Sequence, residues 1–139
     1  MNKNEALLEA CDHSLVLVVD DDEEIRDIFQ LILTESVPEC KIETAVNGAD
    51  ALENFTRKHQ GLLIMDLHMP VMDGQEAFSR IEETCAAKKW QMPTVIFCTA
   101  YNPPRGIQSI IENSRKHDLV RKPLTNETLV EIVRTKLGL

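Results

Sequence analysis

Leu15-Val16-Leu17-Val18-Val19-Asp20-Asp21 is a run of five apolar residues closed by two acids, and Leu62-Leu63-Ile64-Met65-Asp66 repeats the figure with one. Neither run alternates apolar with polar, so each reads as a strand covered on both faces, the signature of a parallel sheet. A carboxylate directly after a buried strand packs poorly and serves chemistry well. The two runs therefore place candidate functional acids at one edge of the sheet.

Working outward, three further runs complete a series: Lys41 to Val46, Thr94 to Cys98, and the short pair Leu119-Val120. Amphipathic stretches separate them. Ile25, Ile28, Phe29 and Ile32 follow i, i+3, i+4, i+7 spacing, which gives a helix one apolar face, and Pro38 closes that stretch. Ala51, Leu52 and Phe55 mark a second helix after Asn47-Gly48. Ala77, Phe78 and Ile81 mark a third after Asp73-Gly74, whose acid caps the helix and whose glycine relieves the turn into it. Ile107, Ile110 and Ile111 mark a fourth. Leu129, Ile132, Val133 and Leu137 mark a fifth, capped by Thr125 or Asn126.

Five β-α repeats with right-handed crossovers put helices on both faces of the sheet. The common doubly wound order, 2-1-3-4-5, has its switch point between strands one and three, and ligands bind at such points. Those are the strands that end in Asp20-Asp21 and Asp66. The predicted fold class is thus α/β, a doubly wound five-stranded parallel sheet. Residues 1–13 read as an N-terminal extension in which Ala6, Leu7 and Leu8 suggest a short helix, and residues 14–139 as one domain.

Composition narrows the function. At 139 residues and 43% hydrophobic content the chain suits a single domain with a real core. A formal charge of −8 argues against a nucleic-acid binder, which needs clustered Lys and Arg, and favours basic patches on partners. Cys11, Cys40, Cys85 and Cys98 are widely spaced and form no metal-like cluster, so they read as reduced thiols of a cytoplasmic protein. No window approaches the roughly 18 to 20 apolar residues of a membrane span, and Met1 to His13 is too polar for a signal peptide. His13, His59 and His117 show no partner spacing and read as surface residues. Trp90 reads as a packing residue at the end of helix three.

Two carboxylates about 4 Å apart repel by about 4 kcal/mol at an effective dielectric near 20, so three converging acids call for a proton or a cation. Mg²⁺ suits a shallow site with few carboxylates, retained waters and phosphate oxygens. Two other strand ends supply complementary groups: Thr99 offers a hydroxyl and Lys122 a compact positive charge. Phosphoryl transfer rests on positioning and on neutralising the equatorial oxygens, which metal, ammonium and hydroxyl together could do. Asp22, Glu23 and Glu24 read instead as an N-cap and first-turn acids that suit the helix dipole.

The ordered set Val18-Val19-Asp20-Asp21, Met65-Asp66, Met69-Pro70-x-x-Asp73-Gly74, Thr99-Ala100 and Lys122-Pro123 resembles the receiver domain of two-component response regulators. The resemblance covers about residues 14–138 and implies a flavodoxin-like three-layer sandwich. It implies that Asp66 takes a phosphoryl group from the phosphohistidine of a sensor histidine kinase or a phosphotransfer protein. It makes Asp20, Asp21, Asp66 and the His68 carbonyl the Mg²⁺ ligands, and Thr99 and Lys122 the phosphoryl-sensing pair. Lys122-Pro123 matches the family's usual cis peptide bond. The output would be a changed surface for a downstream protein partner, with no nucleic-acid or membrane contact. Such a protein catalyses its own phosphorylation and dephosphorylation and is otherwise no enzyme. The initiating Met1 favours a stand-alone chain, with one part of a hybrid kinase or longer regulator as the alternative.

Two departures matter. Leu119 stands where receivers often carry Tyr or Phe, so the usual aromatic report to the face of helix four, strand five and helix five is missing. His68 and Tyr101, both bulky, occupy the positions flanking the attacking water, which implies a long phosphoryl lifetime. A haloacid-dehalogenase-like phosphohydrolase would need an acid two residues after Asp66, where this chain has His68. A flavin or nucleotide binder would cradle phosphate in a Gly/Ser/Thr-rich turn, and Asp20-Asp21-Asp22 would repel it.

Overall fold

A computed structural model describes residues 7–139. Five strands alternate with five helices: β1 Asp12–Val19, α1 Glu23–Ser36, β2 Lys41–Ala45, α2 Gly48–Lys58, β3 Gln60–Asp66, α3 Gly74–Lys88, β4 Thr94–Thr99, α4 Arg105–Glu112, β5 Asp118–Arg121 and α5 Asn126–Leu137. All strand pairs are parallel and the order is β2-β1-β3-β4-β5, as the switch-point argument predicts.

The unbroken apolar runs are explained by two cores, one on each face. Leu17, Val19, Leu63, Met65, Val95 and Phe97 point toward Phe55 of α2, Ile81 of α3 and Ile107 of α4. Their neighbours Val16, Val18, Leu62, Ile64 and Ile96 point the other way, onto Leu33 of α1 and Leu129 and Val133 of α5. A strand with period-2 side chains and a helix on each side has no solvent face left for a polar residue.

Ladder register aligns the strand ends. Val19 pairs with Met65, Asp66 with Cys98, and Thr99 with Arg121. The residues that follow or close those strands, Asp20, Asp66, Thr99 and Lys122, therefore meet at the C-terminal edge of the sheet. Helix caps support the same edge: Asp22, Asn47, Asp73 and Thr125 each accept a backbone N–H from the first turn of α1, α2, α3 and α5. Helix α4 starts at Pro104 with no side-chain cap.

Three expectations change. Ala6 lies outside the described residues, but Leu7 and Leu8 sit in a turn rather than a helix. Glu9 instead pairs with Trp90, its N–H donating to Lys89 O (2.9 Å) and its carbonyl accepting from Gln91 N–H (2.8 Å), so the segment's backbone bonds go to another strand-like piece. His59 and His117 are buried, at 7% and 8% exposure. His59 takes a left-handed conformation at the end of α2 (φ 49°), which turns it beneath Trp90, with rings 4.1 Å apart and nearly parallel. His117 Nδ1 accepts the Val95 N–H at 3.0 Å, a bond that serves the start of β4. Trp90 packs at the end of α3 as expected, with the Lys88 ammonium over its ring.

Gly74 also has a different reason from the one its sequence position suggests. Its φ is not positive, but a Cβ there would lie 2.5 Å from the Asp66 carbonyl oxygen. Gly48 is similar, since a Cβ would lie 2.5 Å from Met72 O, to which the Gly48 N–H donates. Between them Val71 sits at φ 70°, 82% exposed, at the centre of a turn closed by Met72 N–H to Pro70 O (2.8 Å). That is the rare γ-turn geometry, and a β-branched residue holds it under strain.

Candidate functional site

Carboxylate oxygens of Asp20, Asp21 and Asp66 all lie within 4.8 Å of one another. Asp20 and Asp66 are 3% and 8% exposed, while Asp21 faces solvent. The sheet edge thus brings together the three acids that the sequence singled out. Lys122 reaches across from the end of β5, its Nζ 3.0 Å from Asp20 Oδ2 and 3.2 Å from Asp66 Oδ2. Lys122-Pro123 is cis, as expected from the resemblance.

Each carboxylate is oriented through its second oxygen. Asp20 Oδ1 accepts the Asp22 N–H (2.9 Å), and Asp66 Oδ1 accepts the His68 N–H (3.3 Å). Asp20 is further held through its main chain, its N–H donating to Ala45 O (3.2 Å) and its carbonyl accepting from Arg26 Nη1 (2.7 Å). Arg26 was not singled out by sequence reasoning. An arginine six residues after Asp20, just inside α1, was the available signal.

The charge balance is uneven. Burial raises the Asp66 pKa above the ordinary carboxylate range, the Asp20 charge adds to that rise, and Lys122 opposes both. Burial pulls the other way on Lys122, but its bonds to Asp20 and Asp66 and their charges outweigh that and hold its pKa high. One ammonium against three carboxylates leaves net negative charge in a half-buried cup. The donors are all hard oxygens, with no sulfur or imidazole among them, which fits Mg²⁺ rather than a softer metal.

Thr99 is fully buried at the edge, and its hydroxyl is engaged in its own turn: it donates to Tyr101 O (3.0 Å) and accepts the Tyr101 N–H (3.1 Å). His68 is exposed, and its ring stands edge-on to the Tyr101 ring at 5.3 Å, so the imidazole packs there rather than turning onto the acids. Leu119 pairs with Phe97 and packs into the core on the α3 and α4 side. Beside Lys122 an apolar groove of about 490 Å³ opens between α1 and the β5–α5 loop, lined by Ile25, Ile28, Phe29, Pro123 and Leu124. No helix among the described residues is long and apolar enough to cross a membrane.

Comparison with known proteins places this geometry. The chain is 38% identical over 87 residues to the protein-glutamate methylesterase/protein-glutamine glutaminase 3 of Hahella chejuensis, covering 63% of this chain but 23% of that protein. It is 30% identical over 123 residues to the chemotaxis protein CheY of Bacillus subtilis, covering 88% of this chain and 97% of that one. A CheY-like response regulator receiver domain protein from Methanospirillum hungatei superposes with a TM-score of 0.74 at 26% identity, covering 89% and 94% of the two chains. The family model for the response regulator receiver domain matches residues 16–134, nearly all of the two-sided sheet and its acidic edge, and the chain belongs to that family.

Proposed function

We propose that residues 14–139 act as a phosphoacceptor receiver in which Asp66 is the nucleophile. The observation that carries this reading is the convergence of Asp20, Asp21 and Asp66 within 4.8 Å, with Lys122 bridging two of them. Asp20, Asp21, Asp66 and the His68 carbonyl would hold Mg²⁺, which when bound supplies positive charge to the phosphoryl oxygens. Asp66 Oδ2, once Lys122 releases it, attacks the phosphorus of a partner's phosphohistidine. The new P–O bond forms as the P–N bond breaks, and the imidazole leaves with the electron pair and takes a proton from water. Lys122 pairs with a phosphoryl oxygen in place of Asp66 Oδ2. The Thr99 hydroxyl exchanges Tyr101 O for another phosphoryl oxygen as its acceptor.

The donor is a sensor histidine kinase or a phosphotransfer protein, and the apolar groove beside Lys122 supports its docking close to Asp66. The paired rings of His68 and Tyr101 cover the approach of water, which favours a long-lived acyl phosphate. His68→Ala combined with Tyr101→Ala should speed loss of the phosphoryl group at least threefold in a timed mass assay, and an unchanged rate would remove the shielding argument. Intact-mass analysis after acetyl phosphate and Mg²⁺ tests the whole reading. One phosphoryl group should add to the wild type and none to Asp66→Asn; no addition to the wild type, or the same addition to the variant, sinks the assignment. A second reading, that the unit works inside a longer regulator, is favoured by the methylesterase relative, of which this chain spans 23%. A native protein of 15.8 kDa on a denaturing gel of cell extract would refute it.

A further inference from the structure

Chain spacing scatters Cys11, His59 and Cys85, yet the fold brings them to one point at the N-terminal edge of the sheet. Cys11 leads into β1, His59 ends α2 and Cys85 lies in the last turn of α3, and all three are buried. What they share is the Gln91 carbonyl oxygen. It lies 2.9 Å from His59 Nε2, 3.3 Å from Cys11 Sγ and 3.7 Å from Cys85 Sγ. Cys11 Sγ is also 3.2 Å from His59 Nε2. Because a carbonyl oxygen only accepts, each of the three contacts directs a proton at it, and three donors crowd two lone pairs.

The surroundings fix these groups in place. His59 and Lys89 both take left-handed backbone, at φ 49° and 56°, which turns the chain sharply out of α2 and α3. Gln91 is then held by its N–H, which donates to Glu9 O at 2.8 Å. Trp90 stacks flat on the His59 ring at 4.1 Å and Phe55 stands edge-on to it at 5.4 Å, so the plane of the imidazole is already set.

The donor set selects an ion. Tetrahedral zinc, with bonds of about 2.3 Å to sulfur and about 2.0 to 2.1 Å to nitrogen or oxygen, has edges of roughly 3.4 to 3.8 Å between its ligands. Cys11 Sγ, His59 Nε2 and Gln91 O are closer together than that by up to about half an ångström, so they need only spread slightly. Cys85 Sγ, which bonds only to Gln91 O, is the donor that closes in. Two thiolates and a neutral imidazole around a dication leave no net charge, a state that buried side chains tolerate. Sulfur and imidazole favour Zn²⁺ over the hard Mg²⁺ that suits the opposite edge.

We propose that Cys11, His59, Cys85 and the Gln91 carbonyl form a structural zinc site that fastens β1, α2 and α3 together. On binding, each thiol gives one proton to solvent and the His59 ring proton moves from Nε2 to Nδ1. The ion then takes the place that three hydrogens occupy against Gln91 O. The cluster carries no charge until those protons leave, which sets it apart from the acidic edge, and it does not depend on phosphorylation of Asp66.

The test uses the full chain, reduced with a phosphine, with excess Mg²⁺ to fill the acidic edge and Co²⁺ as a visible stand-in for Zn²⁺. Co²⁺ should produce a thiolate charge-transfer band in the near ultraviolet that Zn²⁺ bleaches, and the urea midpoint should rise with Zn²⁺ concentration. Cys85→Ser should lose most of the band and weaken Zn²⁺ binding by about tenfold or more, whereas Asp66→Asn and Cys40→Ser should change neither. Trp90, the chain's single tryptophan, gives a reading on the wild type that needs no variant to fold. Its emission should change over the same Zn²⁺ range that bleaches the band. Absence of the band, a band that survives both Cys11→Ser and Cys85→Ser, or unchanged Trp90 emission overturns the site. Zn²⁺ binding lost in Asp66→Asn or in Cys40→Ser gives the ion to the acidic edge or to the half-buried Cys40 thiol, and also overturns it.

Discussion

The two ends of the sheet bury similar numbers of polar side chains and use them differently. At the C-terminal edge, Asp20 and Asp66 converge with Asp21 on a single ammonium, leaving charge uncompensated. At the N-terminal edge, His59 stacks on Trp90, lies 3.2 Å from Cys11 Sγ and reaches Gln91 O at 2.9 Å, while His117 accepts from Val95. There the polar groups are answered by protein, Gln60 Oε1 excepted. Burial of polar atoms thus does not distinguish a site from a scaffold; unbalanced charge does. Burial pushes the Cys11 thiol up to about 11, which keeps it neutral and makes it a bonding group rather than a nucleophile.

Three measurements can break or sharpen that contrast. The largest effect belongs to His59→Ala, which removes a buried ring from the Trp90 stack and leaves the Gln91 carbonyl only the weaker Cys11 and Cys85 thiol donors. Urea unfolding should show a loss of about 3 kcal/mol, while Mg²⁺ affinity stays within twofold. A fall in Mg²⁺ affinity with stability intact would show that the two ends are not separate in role.

Next comes pH. Burial holds the His117 pKa down at about 4, and the Lys116 and Lys136 charges push the same way. An unfolded histidine titrates near 6.5, so below that pH the unfolded chain binds the extra proton and folding loses ground until about pH 4. From pH 7 to pH 5 this costs about 2 kcal/mol. His117→Asn retains an acceptor for Val95 without titrating there, and its stability should be flat across that window. An equally steep variant would refute the assignment.

The smallest effect belongs to Asp21→Asn. Mg²⁺ affinity should fall about tenfold, or about 1.4 kcal/mol, with metal-free unfolding unchanged within about 0.5 kcal/mol because Asp21 is exposed. Unchanged Mg²⁺ binding would remove Asp21 from the site.

What could be read in advance followed from local chemistry. Apolar runs revealed the strands because two-sided burial leaves no choice of residue, and the acids stood out because nothing in packing wants them there. The sheet order followed from the commonest doubly wound arrangement of five β-α repeats. Histidine gives no such signal: His59 follows Lys58 and precedes a buried glutamine, so its burial arises from the left-handed turn and from Trp90, 31 positions away in the chain. The N-terminal Leu7-Leu8 pair misled because Glu9, just after it, bonds to the 89–91 segment, which is distant in sequence. At the site, the residue types were legible and their present bonds were not. Nothing local shows that the Thr99 hydroxyl is engaged by Tyr101 or that Arg26 holds the Asp20 carbonyl.

The loop from Leu67 to Gly74 holds the lesson with the widest use. Gly48 and Gly74 leave no room for a methyl group, Gly74 N–H bonds to Leu67 O, and Val71 accepts an awkward backbone between them. Residues with no reactive atom thereby set the angle at which the chain leaves Asp66. Grafting the three acids and the lysine onto another parallel sheet would reproduce the charges without that angle. A designer who wished to move this chemistry would do better to transplant the glycine-locked loop first and add the acids afterwards.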